Sequence, residues 1–251
     1  MWWRVGLPDV RNDRRNRRLV FFSTPAVNGS GQADTIHAER LVPAPSGVLS
    51  MDYQAIFQRI LDTVDREAYF TPVSQVDERH RAGVAAVREA LSQPNFDPDA
   101  VRALVEDLAA GGHLDAVLRL SALHIVAAHP RVGEWEEAAR LVGEQEFAAL
   151  EQGGPRLQAN LASVDRHRGV LAFLRGHYEV ALDYFARALE RERSAENLTN
   201  ILCTLLRLGD EDEAHELLHS IQTSFPAGIA EQVRTAILED PDLALLRPEV
   251  P

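Results

Sequence analysis

The chain has 251 residues, of which 45% are hydrophobic and 25% charged, a balance that supports one or two buried cores and excludes a wholly disordered polymer. Its 38 acidic residues outnumber 26 basic ones, all of them Arg, and the formal charge of -12 excludes the broad basic stripe that duplex nucleic acid requires. A single cysteine, Cys203, excludes an intramolecular disulfide, and no run approaches the ~18 apolar residues of a membrane span, so a cytoplasmic protein is expected.

Residues 1–50 differ from the rest of the chain. Arg11, Arg14, Arg15, Arg17 and Arg18 cluster ahead of Leu19-Val20-Phe21-Phe22, and the Pro/Gly/Ser-rich stretch from Ser23 to Ser50 has no helical period. Four apolar residues fall short of the roughly 7–15 of an export signal, and the segment reads as a disordered leader. Met51 is the only methionine besides Met1, and helical periodicity starts directly after it, which makes it an alternative translational start. Without the leader, 19 basic residues would face 34 acidic ones.

From Met51 onward apolar residues recur at three- and four-residue spacing, as in Ile56, Ile60, Leu61, Val64 and again in Val101, Leu104, Val105, Leu108. The chain is therefore expected to be all-α. Asp97-Pro98-Asp99 predicts a helix start, with Pro in the first turn and acids at the positive end of the dipole, and Gly111-Gly112 predicts its stop. A turn then recurs in which Gly is followed five residues later by Ala: Gly133 to Ala138, Gly176 to Ala181 and Gly209 to Ala214, with Gly112 to Val117 as a looser copy. The spacing predicts a left-handed Gly ending one helix, acids opening the next, and an Ala at which two helix backbones approach closely. Phe185 and Ala188 follow Ala181, and Leu218 and Ile221 follow Ala214, so one face of each second helix is apolar.

These offsets of turn Gly, Ala, large apolar and small residue resemble the second helix of a tetratricopeptide repeat (TPR), and the 33-residue step from Ala181 to Ala214 is close to that family's period of about 34. The first helices depart from the pattern. Gly169 matches, but Asp165, Arg168 and Ala172 stand where the family has Trp, Leu and Tyr, whereas Leu198, Ile201 and Leu205 fill the same places with aliphatic residues in the next repeat. The resemblance implies helix-turn-helix repeats stacked as a short TPR-like α-solenoid: a helical, repeat-like region over 51–160, repeats with a capping helix over 161–240, and a tail over 241–251.

What the resemblance implies for function is a non-enzymatic scaffold or adaptor that takes a partner protein's peptide segment or helix in a concave groove, with no cofactor. Arg166, Asn200 and Arg234 fall at intervals of 34 on successive first helices, as in the carboxylate clamp of some TPR proteins, although Val170 and Ala230 replace that clamp's Asn and Lys. Phe173, Leu206 and Arg207 would line the groove beside them. A partner with basic patches would suit the negative charge. The array would also suit the docking part of a larger complex, with residues 51 to about 110 serving a separate role.

A catalytic alternative is written in His215-Glu216-Leu217-Leu218-His219, which on a helix places two imidazoles on one face for Zn²⁺ with Glu216 as general base, as in a zinc metallopeptidase. Glu231 and Glu239 are the available third ligands downstream. Against it, Ala214, Leu218 and Ile221 already supply the helix's packing face, which predicts a half-buried His215 and a solvated His219. Trp135 reads as a packing aromatic and Cys203 as an inert thiol.

Overall fold

The computed structural model describes residues 53–65, 78–93 and 95–249, so the expected leader and the candidate start at Met51 lie outside the described residues. Ten α-helices and no strand are found among the described residues: α1 (Tyr53–Asp65), α2 (Glu78–Ser92), α3 (Pro98–Ala110), α4 (Ala116–Ala128), α5 (Trp135–Gln152), α6 (Leu157–Leu174), α7 (Tyr178–Arg191), α8 (Ala195–Leu208), α9 (Glu211–Ser224) and α10 (Ala227–Glu239). Two 3-10 helices, Gly154–Arg156 and Pro241–Glu249, complete the set. The all-α expectation holds for these residues.

Local chemistry places the helix ends. Asp97 caps α3 by accepting from the Asp99 amide at 3.0 Å with Pro98 in the first turn, Asp115 caps α4 through the Leu118 amide at 2.9 Å, and Ser194 caps α8 through the Asn197 amide at 3.2 Å. The four turn glycines of the repeating pattern, Gly112, Gly133, Gly176 and Gly209, all have left-handed φ, at 73°, 68°, 77° and 81°. Gly209 is the cap itself, its amide reaching back to the Leu205 and Leu206 carbonyls. Gly133 departs from the expectation: α4 stops earlier, at Ala128, because Pro130 cannot continue a helix, and the glycine instead leads into α5.

The residues expected to allow close helix approach are fully buried, with Ala138, Ala181 and Ala214 at 0% exposure. A close approach also occurs at Gly169 on α6, where an added Cβ would lie 2.5 Å from Cε1 of Phe185 on α7. Leu198, Ile201 and Leu205 are likewise inaccessible, so the aliphatic trio at the family's consensus places forms core. At the preceding set of places the chemistry changes. Asp165, only 5% exposed, accepts from Nε of Arg191 at 2.9 Å, and Arg168 donates to Glu146 on α5 at 2.6 Å. Ion pairs between neighbouring helices thus replace apolar packing.

Every helix from α2 to α9 packs against the next one in sequence. Contacts also form between alternate helices, α2 with α4, α4 with α6 and α8 with α10. The exception is α1, which crosses to pack on α7 and α9. Ile56, Phe57 and Ile60 are buried there, a gross contribution of roughly 5–8 kcal/mol before ordering costs. Arg59 pins the helix by reaching Asp183 and Glu190 on α7, each at 2.8 Å. Residues 241–249, read from sequence as a tail, pack onto α8 and α10 with Leu243 and Leu246 at 0% exposure.

Candidate functional site

Among the described residues α1 covers α7 and α9, so the residues expected to form a groove lie on the other helices: Arg166 and Phe173 on α6, Asn200, Leu206 and Arg207 on α8, and Arg234 on α10. Arg166 reaches the start of α8. Its Nη1 donates to Oδ1 of Asn197 at 3.3 Å, and its guanidinium lies 3.7 Å from Glu192 and 3.5 Å from Glu196. Burial holds the Glu192 carboxyl above its ordinary range, outweighing the attraction of Arg166. Arg166 therefore sits amid carboxylates of its own chain, one of which, Glu196, precedes Asn200 by one turn of α8.

Arg207 donates to Asp242 at 2.7 Å, and Arg234 donates to Glu231 on its own helix at 2.7 Å through Nε and 2.5 Å through Nη2. Two of the three residues spaced by 34, Arg166 and Arg234, thus have separate partners within the chain. Asn200 is partly exposed and its carbonyl accepts from the Thr204 hydroxyl at 2.6 Å. Phe173 and Leu206 are partly buried against the main core, Phe173 meeting Tyr178 edge-on at 5.2 Å. Val170 and Ala230, at the clamp positions where this chain departs from the family, also pack on that core.

On α9, Leu217 and Leu218 are buried, His215 is partly buried, and Glu216 and His219 are exposed. The apolar half of the helix faces the core and its histidines flank that half, as the packing argument predicts. Glu231 is engaged by Arg234, and Glu239 is exposed at the end of α10. Among the described residues no group of three or more His, Cys, Asp or Glu is arranged to hold a metal ion.

Two features escaped the sequence reading. The first is a pair of histidines inside the α4, α5 and α6 packing: His124 at 0% exposure and His167 at 7%, their rings stacked at 4.5 Å with an interplanar angle of 24°. Nδ1 of His124 donates to the Ala138 carbonyl at 3.0 Å, and Nδ1 of His167 donates to the side-chain oxygen of Gln145 at 2.8 Å. Gln145 in turn donates to Ser163, and the Ser121 hydroxyl lies 3.5 Å from Nε2 of His167. Nε2 of His124 is buried without a hydrogen-bond partner. Burial holds the His124 imidazole down to about 4, the Ala138 contact opposing it only partly. His167 is held well below its ordinary value by burial, then by His124 and Arg166. Both rings are neutral at ordinary pH and tie three helices together. The available signal was His124 alone among apolar residues in Ala122-Leu123-His124-Ile125-Val126.

The second feature is the 3-10 helix Pro241–Glu249, which packs on α10 and on α8, the helix that carries Cys203. Burial, with the carboxylates of Asp240 and Asp242 nearby, pushes the Cys203 thiol well above its ordinary range, although the residue as a whole keeps some surface. That is the chemistry of an inert thiol. No described helix is long and apolar enough to cross a membrane.

No family model, no curated protein and no solved structure matches this chain.

Proposed function

We propose that this chain is a non-enzymatic interaction protein, a TPR-like scaffold or adaptor that takes a peptide segment or helix of another protein along the side formed by α6, α8 and α10. The observation that carries the reading is the seating of α1 across α7 and α9, which leaves Arg166, Asn200, Phe173 and Arg234 partly exposed on the helices that α1 does not cover. Left-handed turn glycines, buried alanines and the Gly169–Phe185 approach support a repeat architecture, because each is what the stacking of helix pairs requires. Arginine and aromatic side chains are the usual anchors of such a surface.

The reading is tested by selecting from a displayed peptide library on the full chain, then measuring selected peptides by titration calorimetry against Arg166→Glu and Asn200→Ala variants. A peptide that binds the parent chain and loses at least about tenfold in affinity in either variant supports the proposal, a tenfold loss being about 1.4 kcal/mol. Failure to select any peptide, or binding indifferent to both substitutions, refutes it.

A further inference from the structure

The 3-10 helix Pro241–Glu249 lies at the far end of the α8 stripe that begins beside Arg166. Glu196, Asn200, Cys203 and Arg207 follow one another on that stripe at helical spacing. Glu196 lies 3.5 Å from Arg166 at one end, and Arg207 holds Asp242 at 2.7 Å at the other. Between them on the same stripe lies Cys203, one turn before Arg207. Residues 241–249 thus cover one end of the surface assigned above to a partner, and leave Asn200 partly exposed.

The segment packs on α8 and α10 and joins the main hydrophobic core through its two leucines. Leu243 and Leu246 are wholly buried, and Arg247 donates to the carbonyls of Ile237 at 3.2 Å and Asp240 at 3.3 Å. Ala244 and Leu245 are exposed between the two leucines, Leu245 at 57%. Nine residues is long for a 3-10 helix, whose hydrogen bonds are poorer than those of an α-helix and whose runs seldom exceed about 3–4 residues. Side-chain anchors, more than the segment's own backbone ladder, fix its position. An acid paired to an arginine and leucines one and four residues later, each filling an apolar site, form the pattern by which a short helical segment engages a groove.

We propose that residues 241–249 are a resident pseudo-ligand of the partner surface, and that the partner displacing them carries the same chemistry: an acidic residue followed by leucines one and four positions on. The proposal rests on the reading of α6, α8 and α10 as a binding surface. Because the segment is tethered, it acts at an effective concentration of roughly millimolar, and it weakens a partner's apparent affinity by the fraction of time the site is open.

Cys203 is the chain's single cysteine and supplies a native reporter. The probe is a fluorescein-labelled peptide copying residues 239–249, added to the full chain and to its Leu243→Ser/Leu246→Ser variant. The variant is expected to bind the probe at least about tenfold more tightly and to react with an aromatic disulfide at Cys203 at least about tenfold faster, the resident competitor having been removed. Saturating peptide restores protection of the thiol, and adding Arg207→Ala abolishes the tighter binding. A folded variant that ignores the peptide, or one that unfolds, overturns the proposal, since the segment is then core and not ligand.

Hydrogen exchange on the unmodified chain gives an independent reading. The Leu243 and Leu246 amides are expected to exchange at least about 100-fold faster than those of central α8, by local opening. Equal rates mean that the segment leaves only on global unfolding, which also sinks the idea. A library-selected peptide that depends on Arg166, found while the 239–249 probe fails to bind, removes this proposal alone; no binding of either kind removes both.

Discussion

Acid should loosen the α4–α6 packing through its histidine pair, and His124 isolates the effect. Its folded-state value near 4 lies below the ordinary 6.5, so between the two the unfolded chain binds the proton that the folded chain refuses. The stability this supplies is complete above the unfolded value, declines as pH falls through it, and is fully lost below the folded value. One pKa unit corresponds to about 1.4 kcal/mol, which gives a loss of about 2 kcal/mol from neutral pH to about pH 5 and about 3 kcal/mol by about pH 4. His167 acts in the same direction, and the stacked rings titrate as a pair. The perturbation is His124→Gln, whose amide can still donate to the Ala138 carbonyl but cannot take up a proton. Urea unfolding followed by circular dichroism, at about pH 7.5 and about pH 5, should show the parent losing about 2 kcal/mol more than the variant. Parallel pH dependence in the two proteins would refute the reasoning, because the carboxylates they share would then account for all of it.

Three further outcomes are expected from the packing and the outer helix face. Gly169→Ala places a methyl 2.5 Å from Cε1 and 2.7 Å from Cδ1 of a phenylalanine that is 1% exposed; a loss of about 2–3 kcal/mol is expected, partly recovered by adding Phe185→Leu, as unfolding midpoints will show. Asp165→Ala strips Arg191 of its carboxylate and Arg187 of one of its two, and because both arginines keep 35% and 40% exposure and can turn to water, the cost should be about 1–2 kcal/mol, below that of a sealed ion pair; no change in a urea titration would contradict the role given to Asp165. Metal analysis of tag-free protein after dialysis should find zinc well below one equivalent, given exposed Glu216 and His219 and no third ligand among the described residues; stoichiometric zinc lost in a His215→Ala/His219→Ala variant would revive the hydrolase reading.

Helix positions, caps and turns were legible in the sequence because they are local. Asp97 before Pro98 and a Gly five residues ahead of each buried Ala are decided by φ/ψ preference and hydrogen bonding within a few residues. The aliphatic Leu198, Ile201 and Leu205, noted at the places the TPR resemblance marks, are core, and packing logic gave a half-buried His215 and a solvated His219 on α9. Which polar residues find one another was not local. Arg166 and Asn200 share a frame by counting, yet Arg166 turns to Glu192, at the end of α7, and Glu196, at the start of α8, which lie within 3.7 Å and 3.5 Å.

The same holds for His124 and His167, 43 positions apart in the chain and stacked only because α4 and α6 pack together. Leu243 and Leu246 read as part of a tail because nothing within a few residues of them marks an amphipathic helix; their burial depends on apolar surface supplied by α8 and α10. The sequence by itself determined the helices, their ends and their apolar faces, since backbone preference and periodicity act at short range. Tertiary structure alone decided the polar partners, the covering of α7 and α9 by α1, and the segment resting on Arg207, since long-range contacts depend on how helices stack.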